Sequence, residues 1–578
     1  MVRLAAPTFS LLVCQQLFLA LCASAPSPDS DHRHEVDDVA AFVQVHDHGA
    51  RRGPRVSNGV IVGPSGPMAF TADGAILGAQ ESGYIVFRSV PYAEKPERFE
   101  KAALKAPWEP RVLNATDFGP GCISSYTSGV YGESEDCLTL NIWMPKGLHR
   151  KMPVIVYLHG GLNQHGSGHE EIRQGDLIVQ SPRYPTIFIN FDFRLAIFGW
   201  IYGERGSGIT NNLGLMDQQL LLRWVQRHIG AFGGDPDSVT LMGQSEGAAG
   251  IIAHLTSPAS KGLFHRCVLH SPPADVWSRT ANADRTKFVS DGAGCRRKGK
   301  RLLQCLRKVP AQKLLSYDFN AEALSRPGQK KEFMKTIMSL MKFTAEKKDF
   351  RFDEAMADLG WHPVVDDDVM PGEPRRLIAE GKWNRVPVLI TTVKNESYGV
   401  LPDVADAEPM MSFLLKKGEL EAVAQRYTQT LQRSHIQAPP RRELLHQMLT
   451  DKVWTCEIRA LAKDMLAGGG KPHIGMFWHS IRYDPVGAGT SKACVEGAAC
   501  HAADMFYLLP QGRGKGIDPR LAQEVAFSRQ YSNDILSFIY GQGGTWAPFD
   551  ASEAMTFYDA RGPRVEHGYR REQCEVLD

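Results

Sequence analysis

The sequence predicts an α/β protein built on a large, mostly parallel, twisted sheet flanked by helices. Three observations predict it. Short apolar runs rich in β-branched residues alternate with stretches of helical periodicity, the order expected of strands joined by crossover helices. Hydrophobic residues make up 43% of the chain, ample for a large core. No internal repeat is present, and 578 residues fit one oversized sheet domain despite the shorter usual domain length.

The strand candidates are Val154–Leu158, Thr186–Asn190, Ser238–Met242, Val386–Ile390 and Gly475–His479. Each is a short apolar run of the kind that is buried within a sheet. Between them, Asp217–His228 carries Leu220, Leu221, Trp224 and Val225 as a helical stripe. Residues 248–255 are small and apolar, as in a buried helix. Residues 325–352, rich in Lys, Met and Phe, read either as helices over the core or as a solvated amphipathic surface.

Lys and Arg (66) nearly balance Asp and Glu (64), giving a net charge of +2. No strong field over the whole chain therefore favours nucleic acid or an anionic membrane. Residues 1–25 read as a secretory signal: Arg3, the apolar run Leu11–Leu21, then Ala23-Ser24-Ala25. That run is too short to span a bilayer. Residues 26–57, rich in Asp, His, Arg and Pro, read as a flexible leader, and 58–578 as the catalytic domain. No apolar tail precedes Asp578, so no transmembrane segment or lipid anchor is expected. Two of 11 cysteines, Cys14 and Cys22, lie in the signal, leaving nine. In a secreted chain these argue for disulfides with at least one thiol over. No cysteine pair has zinc spacing.

The sharpest local motif is Gly243-Gln244-Ser245-Glu246-Gly247, between a strand candidate and a helix candidate. That is the context of a nucleophile elbow. The sharp turn strains the serine backbone, and glycines on either side remove clashing side chains. Upstream, Leu158-His159-Gly160-Gly161 follows a buried strand. Backbone N–H groups of such a loop can face an oxyanion; an ordinary glycine turn is the plain alternative. Acid and base candidates follow the serine in the required order. Spacing alone does not choose among 19 histidines.

The sequence resembles the type-B carboxylesterase and cholinesterase family, of the α/β-hydrolase fold, from about Val86 to Cys574. The motifs are Phe87-Arg88-Ser89-Val90-Pro91-Tyr92-Ala93, Glu135-Asp136-Cys137-Leu138-Thr139-Leu140-Asn141, Gly214-Leu215-Met216-Asp217-Gln218 and Phe232-Gly233-Gly234-Asp235-Pro236. The resemblance implies Ser245 as nucleophile, Glu396 of Lys394-Asn395-Glu396-Ser397 as acid, and His501 of Gly497-Ala498-Ala499-Cys500-His501 as base. It implies Gly160, Gly161, Leu162 and Glu246 as the oxyanion hole. It further implies disulfides Cys122–Cys137, Cys295–Cys305 and Cys456–Cys574; the pairing of Cys267, Cys494 and Cys500 is left open, with a Cys494–Cys500 pair near His501 and a buried Cys267 thiol as one arrangement. Arg98 with Glu135 and Arg194 with Asp217 map to family ion pairs, and Asp504 to a structural acid. No metal or cofactor is implied. A serine hydroxyl activated by histidine would be acylated and then released by water.

The chain departs from the family pattern at several places. Leu162 stands for the third glycine of the oxyanion loop, Asn163 for an aromatic, Glu246 for alanine and Gln244 for glutamate. The Glu246 carboxylate is expected to point outward along the helix start, where the dipole favours it. No tryptophan lies between Cys122 and Cys137, where cholinesterases hold choline, which disfavours acetylcholine; Tyr126 or Tyr131 is a weak substitute. Trp277 falls near the acyl pocket and reads equally as core packing. Asn114 and Asn395 lie in glycosylation sequons, the second beside the acid and so blocked by burial. The substrate class is a small-molecule or lipid ester. Acylglycerol or sterol-ester lipase activity is one alternative, and a non-catalytic adhesion or binding role the other. The oligomeric state is open.

Overall fold

A computed structural model describes residues 59–124, 131–147, 151–273, 279–317, 361–366, 368–400, 408, 411–412, 415, 419–479, 494, 497–509 and 522–578. The signal, the leader, Tyr126, Trp277 and residues 325–352 lie outside the described residues. The chain divides into two compact units: Met1–Arg55 with Val62–Gly66, and Val56–Ile61 with Pro67–Asp578. Everything below belongs to the second.

Eleven strands form one sheet: β1 (Ala79–Gln80), β2 (Tyr84–Pro91), β3 (Thr139–Pro145), β4 (Met152–Leu158), β5 (Ile187–Phe191), β6 (Gly234–Gln244), β7 (Arg266–His270), β8 (Val388–Val393), β9 (His473–Phe477), β10 (Ala554–Asp559) and β11 (Gly562–His567). Their spatial order is β11-β10-β9-β8-β7-β6-β4-β5-β3-β2-β1. From β5 to β10 all neighbours are parallel; both flanks are antiparallel. Strands β5 and β8 are buried at every position, because helices cover both faces. The edge strand β11 alternates half-buried and exposed residues instead.

The predicted strands are found with shifted ends. β8 starts at Val388 and not Val386, since Pro387 has no N–H to give to a ladder. β6 runs on from Met242 to Gln244 and delivers the chain straight into the serine. The helix foreseen from Asp217 is α1 (Leu213–His228), started one turn earlier by Asn212 at φ 55°. Its Asp217 carboxylate takes two bonds from the Arg194 guanidinium, at 2.7 Å each, with both side chains buried. This bidentate pair ties α1 to the loop after β5.

Helix α2 (Glu246–Thr256) is buried at every residue and starts at the serine. Farther on lie α3 (Lys300–Lys308), α4 (Ala503–Leu508) and α5 (Ala522–Ile539). All three expected disulfides are formed, and Cys494–Cys500 is a fourth. Cys267 is a free, buried thiol, and burial raises its pKa well above the usual value. The Arg98–Glu135 ion pair is present. No helix among the described residues is long and apolar enough to cross a membrane.

Candidate active site

Three loops at the carboxyl ends of the strands meet around Ser245. The first is the elbow between β6 and α2. Ser245 sits at φ 56° and ψ −128°, a conformation sparsely used by residues other than glycine. Its N–H bonds to the His270 carbonyl of the next strand at 2.8 Å. Close packing explains the neighbouring glycines. A Cβ on Gly247 would lie 2.2 Å from the Leu158 carbonyl oxygen, and one on Gly243 2.7 Å from the Gly247 backbone. The side chain is half-buried, and its hydroxyl takes part in no hydrogen bond among the described residues.

The second loop follows β8. Glu396 is fully buried. Its Oε1 accepts from the Thr392 hydroxyl at 2.7 Å and from the Val393 N–H at 2.9 Å. Its Oε2 meets His501 Nδ1 at 2.5 Å. Three donors thus satisfy a carboxylate cut off from water. The third loop carries His501. The Cys494–Cys500 disulfide ends one residue before it, and Asn395 N–H bonds to the Ala499 carbonyl at 2.9 Å, fastening it to the Glu396 loop. Ala502, just after, turns at φ 69° into α4.

The expected acid and base are therefore joined, but the last link is not made. His501 Nε2 lies 3.0 Å from Gln244 Nε2 and has no hydrogen bond to Ser245. With Nδ1–H directed at Glu396, Nε2 keeps its lone pair, and the Gln244 amide donates to it. Asp504 plays the structural part expected of it. It lies beneath the site and holds His270 Nδ1 at 2.8 Å.

The glycine loop after β4 approaches the serine closely. A Cβ on Gly160 would lie 2.9 Å from that of Ser245. Gly161, Leu162 and Asn163 all take positive φ, at 121°, 57° and 56°. Leucine at the third position thus accepts the left-handed turn. The outward orientation expected of Glu246 is corrected: its side chain is buried. Glu246 Oε1 accepts from Asn163 Nδ2 at 2.8 Å and His362 Nδ1 at 3.2 Å. Burial at the start of α2 leaves the carboxylate no water, so it takes donors from both neighbouring segments. Asn163 also donates to the Trp361 carbonyl at 2.9 Å. His362 and the Gln244 contact escaped sequence reasoning; the only signal was that residues 163, 244 and 246 all leave the family pattern.

Below this loop lie His159, His165 and His169. Burial depresses all three, His165 to about 4, while it lifts the nearby Asp192 to about 7. Neutral imidazoles there add no charge under the loop. Among the described residues no group of three or more His, Cys, Asp or Glu is disposed to hold a metal ion.

A mostly parallel sheet with a strained serine at the mouth of a central strand is the α/β-hydrolase fold. The chain belongs to the carboxylesterase family, whose profile matches residues 65–577, and is a carboxylic ester hydrolase of the type-B carboxylesterase and cholinesterase group. It is 31% identical over 379 residues to the para-nitrobenzyl esterase of Bacillus subtilis, covering 63% of this chain and 71% of that protein. It is 27% identical over 430 residues to an acetylcholinesterase of Bungarus fasciatus, covering 68% of this chain and 65% of that one. Among solved structures it superposes on a PNB esterase at a TM-score of 0.68 and 24% identity, covering 88% of this chain and 99% of the other. A carboxylesterase of Geobacillus stearothermophilus gives 0.69 at 23%, over 88% and 100%. These structural likenesses bear on the fold.

Proposed function

We propose that the chain hydrolyses carboxylic esters through an acyl-enzyme on Ser245, with His501 as base and Glu396 as acid. The observation that carries this reading is the buried Glu396 carboxylate 2.5 Å from His501 Nδ1, in a loop fastened beside the strained Ser245 turn. Glu396 fixes the tautomer whose Nε2 can take a proton, and it stabilises the imidazolium that results.

For attack, His501 Nε2 exchanges the Gln244 amide for the Ser245 hydroxyl. The serine oxygen then adds to the carbonyl carbon while His501 takes the proton. The N–H groups of Gly161, Leu162 and Glu246 receive the developing oxyanion, with Gly160 keeping the loop close; loss of one such donor costs about 3 kcal/mol of barrier. His501 returns the proton to the leaving alcohol. Water activated by the same imidazole then releases the acid. No cofactor takes part.

The substrate is a small or lipid-like ester. The protein is secreted, with residues 1–25 removed, 26–57 a leader and 58–578 the catalytic domain; four disulfides support an oxidising compartment. Asn114 is exposed and fit to carry sugar. Purified protein and Ser245→Ala are incubated with a short-chain chromogenic ester and a fluorophosphonate probe. Wild type is expected to hydrolyse and label, and the variant to do neither. A wild type inert to both sinks the catalytic reading and favours a binding role. Raising acyl length through the micellar threshold separates esterase from lipase.

A further inference from the structure

Far along the chain from the serine, residues 296–301 read Arg-Arg-Lys-Gly-Lys-Arg, five cations in six positions. This is more positive charge than the whole chain carries net, at +2. The Cys295–Cys305 disulfide clamps the segment, and it opens helix α3. Leu303 and Leu306 bury one side of that helix. Arg301, Gln304 and Lys308 share the opposite, exposed side, as spacings of three and seven require.

Arg296, Arg297, Lys298, Lys300, Arg301 and Lys308 are exposed, and none makes an ion pair among the described residues. Nearby carboxylates are engaged elsewhere, Glu100 by Arg307 and Asp291 by Lys287. The arrangement works against the fold. The cations crowd the positive end of the α3 dipole, where no acidic residue and no side-chain cap offsets them. Lysines and arginines massed where they repel one another and the helix end gain from binding an outside polyanion.

We infer that this disulfide-clamped segment is a docking surface for a linear sulfated polysaccharide. Charge complementarity favours a polyanion. The form of the surface favours a sugar chain over a membrane, because its leucines face the core and it offers no apolar face to insert. On the secretion proposed above, which the four disulfides favour, the folded chain meets extracellular polysaccharides and not nucleic acid. The inference stands apart from the reaction at Ser245.

The test uses heparin oligosaccharide, phosphatidylserine vesicles and unsulfated hyaluronan as probes of the full-length protein. One variant carries Arg296→Gln, Arg297→Gln, Lys298→Gln, Lys300→Gln and Arg301→Gln. A control with the same charge change carries Arg376→Gln, Lys382→Gln, Arg433→Gln, Lys463→Gln and Arg561→Gln. Both are checked for native unfolding temperature. Wild type should bind heparin in preference to vesicles and hyaluronan. The first variant should lose at least about tenfold in affinity, with the slope of log K against log salt falling by about three. The control should lose less than about threefold. Equal losses in both variants, retention by the first, or tighter binding to vesicles than to heparin would overturn the proposal.

Discussion

Gln244 and His501 face each other at 3.0 Å, amide nitrogen to imidazole Nε2, immediately before the serine that the same imidazole would have to activate. Glu396 holds Nδ1, so Gln244 occupies the one basic lone pair. Changing that amide to a carboxylate reverses the preference. Gln244→Glu would hold the imidazolium, and His501 would shed its proton only at higher pH. The acid limb of kcat/KM is expected to move up by about one pH unit, or about 1.4 kcal/mol. An unmoved limb would mean that Gln244 does not contact the working imidazole.

The second prediction concerns Asn163 and Glu246, 2.8 Å apart. Alanine is the family residue at 246, so Glu246→Ala looks harmless from sequence. Here it strands His362 Nδ1 and one of the two Asn163 Nδ2 N–H groups, the other keeping the Trp361 carbonyl, two buried donors at about 1–3 kcal/mol each. The loop would loosen, with kcat expected to fall about tenfold or more and KM to change little. A double-mutant cycle with Asn163→Ala should give a coupling of about 1–3 kcal/mol. Additive effects would show that the pair does not hold the loop.

This pairing marks where the sequence stopped being legible. The elbow was readable because its demands are local: an apolar strand, a strained serine and glycines where the backbone, that of Leu158 and His159 among it, presses close. Glu396 and His501 are 105 residues apart, and no spacing rule joins them; family likeness did so, and the 2.5 Å contact is consistent with it. Strands β1, β2, β3, β7, β10 and β11 went unread; β1 has only two residues, and β11 alternates half-buried and exposed positions at the edge. Glu246 was misjudged because a carboxylate at a helix start usually faces water. Its burial depends on His362, 116 residues on.

The disulfides separate stability from site geometry. In the chain-entropy account, Cys456–Cys574, spanning 118 residues, contributes about 5 kcal/mol, and Cys494–Cys500, spanning six, about 2 kcal/mol. Replacing Cys456 and Cys574 by serine should therefore lower the unfolding temperature by several degrees more than replacing Cys494 and Cys500. The second change frees the loop beside His501 and should reduce kcat about tenfold. Calorimetry alongside ester turnover checks both. Equal thermal losses, or full turnover without the short bridge, would refute this division.

Acid sensitivity follows from buried histidines. Burial lowers His254 to about 3 and His165 and His446 to about 4, from an ordinary 6.5. Each is neutral when folded and takes up a proton on unfolding below pH 6.5, so its stabilising share is full above that pH and is lost as pH falls towards about 4. Asp192, raised to about 7, opposes them: its unfolded form ionises first as pH rises from 4 to 7. His159, His169, His228 and His265 are lowered as well, and Glu133, Asp451 and Glu457 are raised with Asp192; among the described residues seven lowered histidines outweigh four raised carboxylates, so the unfolding temperature should rise between pH 4 and 6.5. His254→Gln can keep the contacts to Ser260 and Gln218, at 2.9 Å each, without titrating. It should flatten that rise while matching wild type less well at pH 7, since an amide fits two ring-nitrogen partners imperfectly. An identical slope in the variant would show that His254 is not a source of the acid sensitivity.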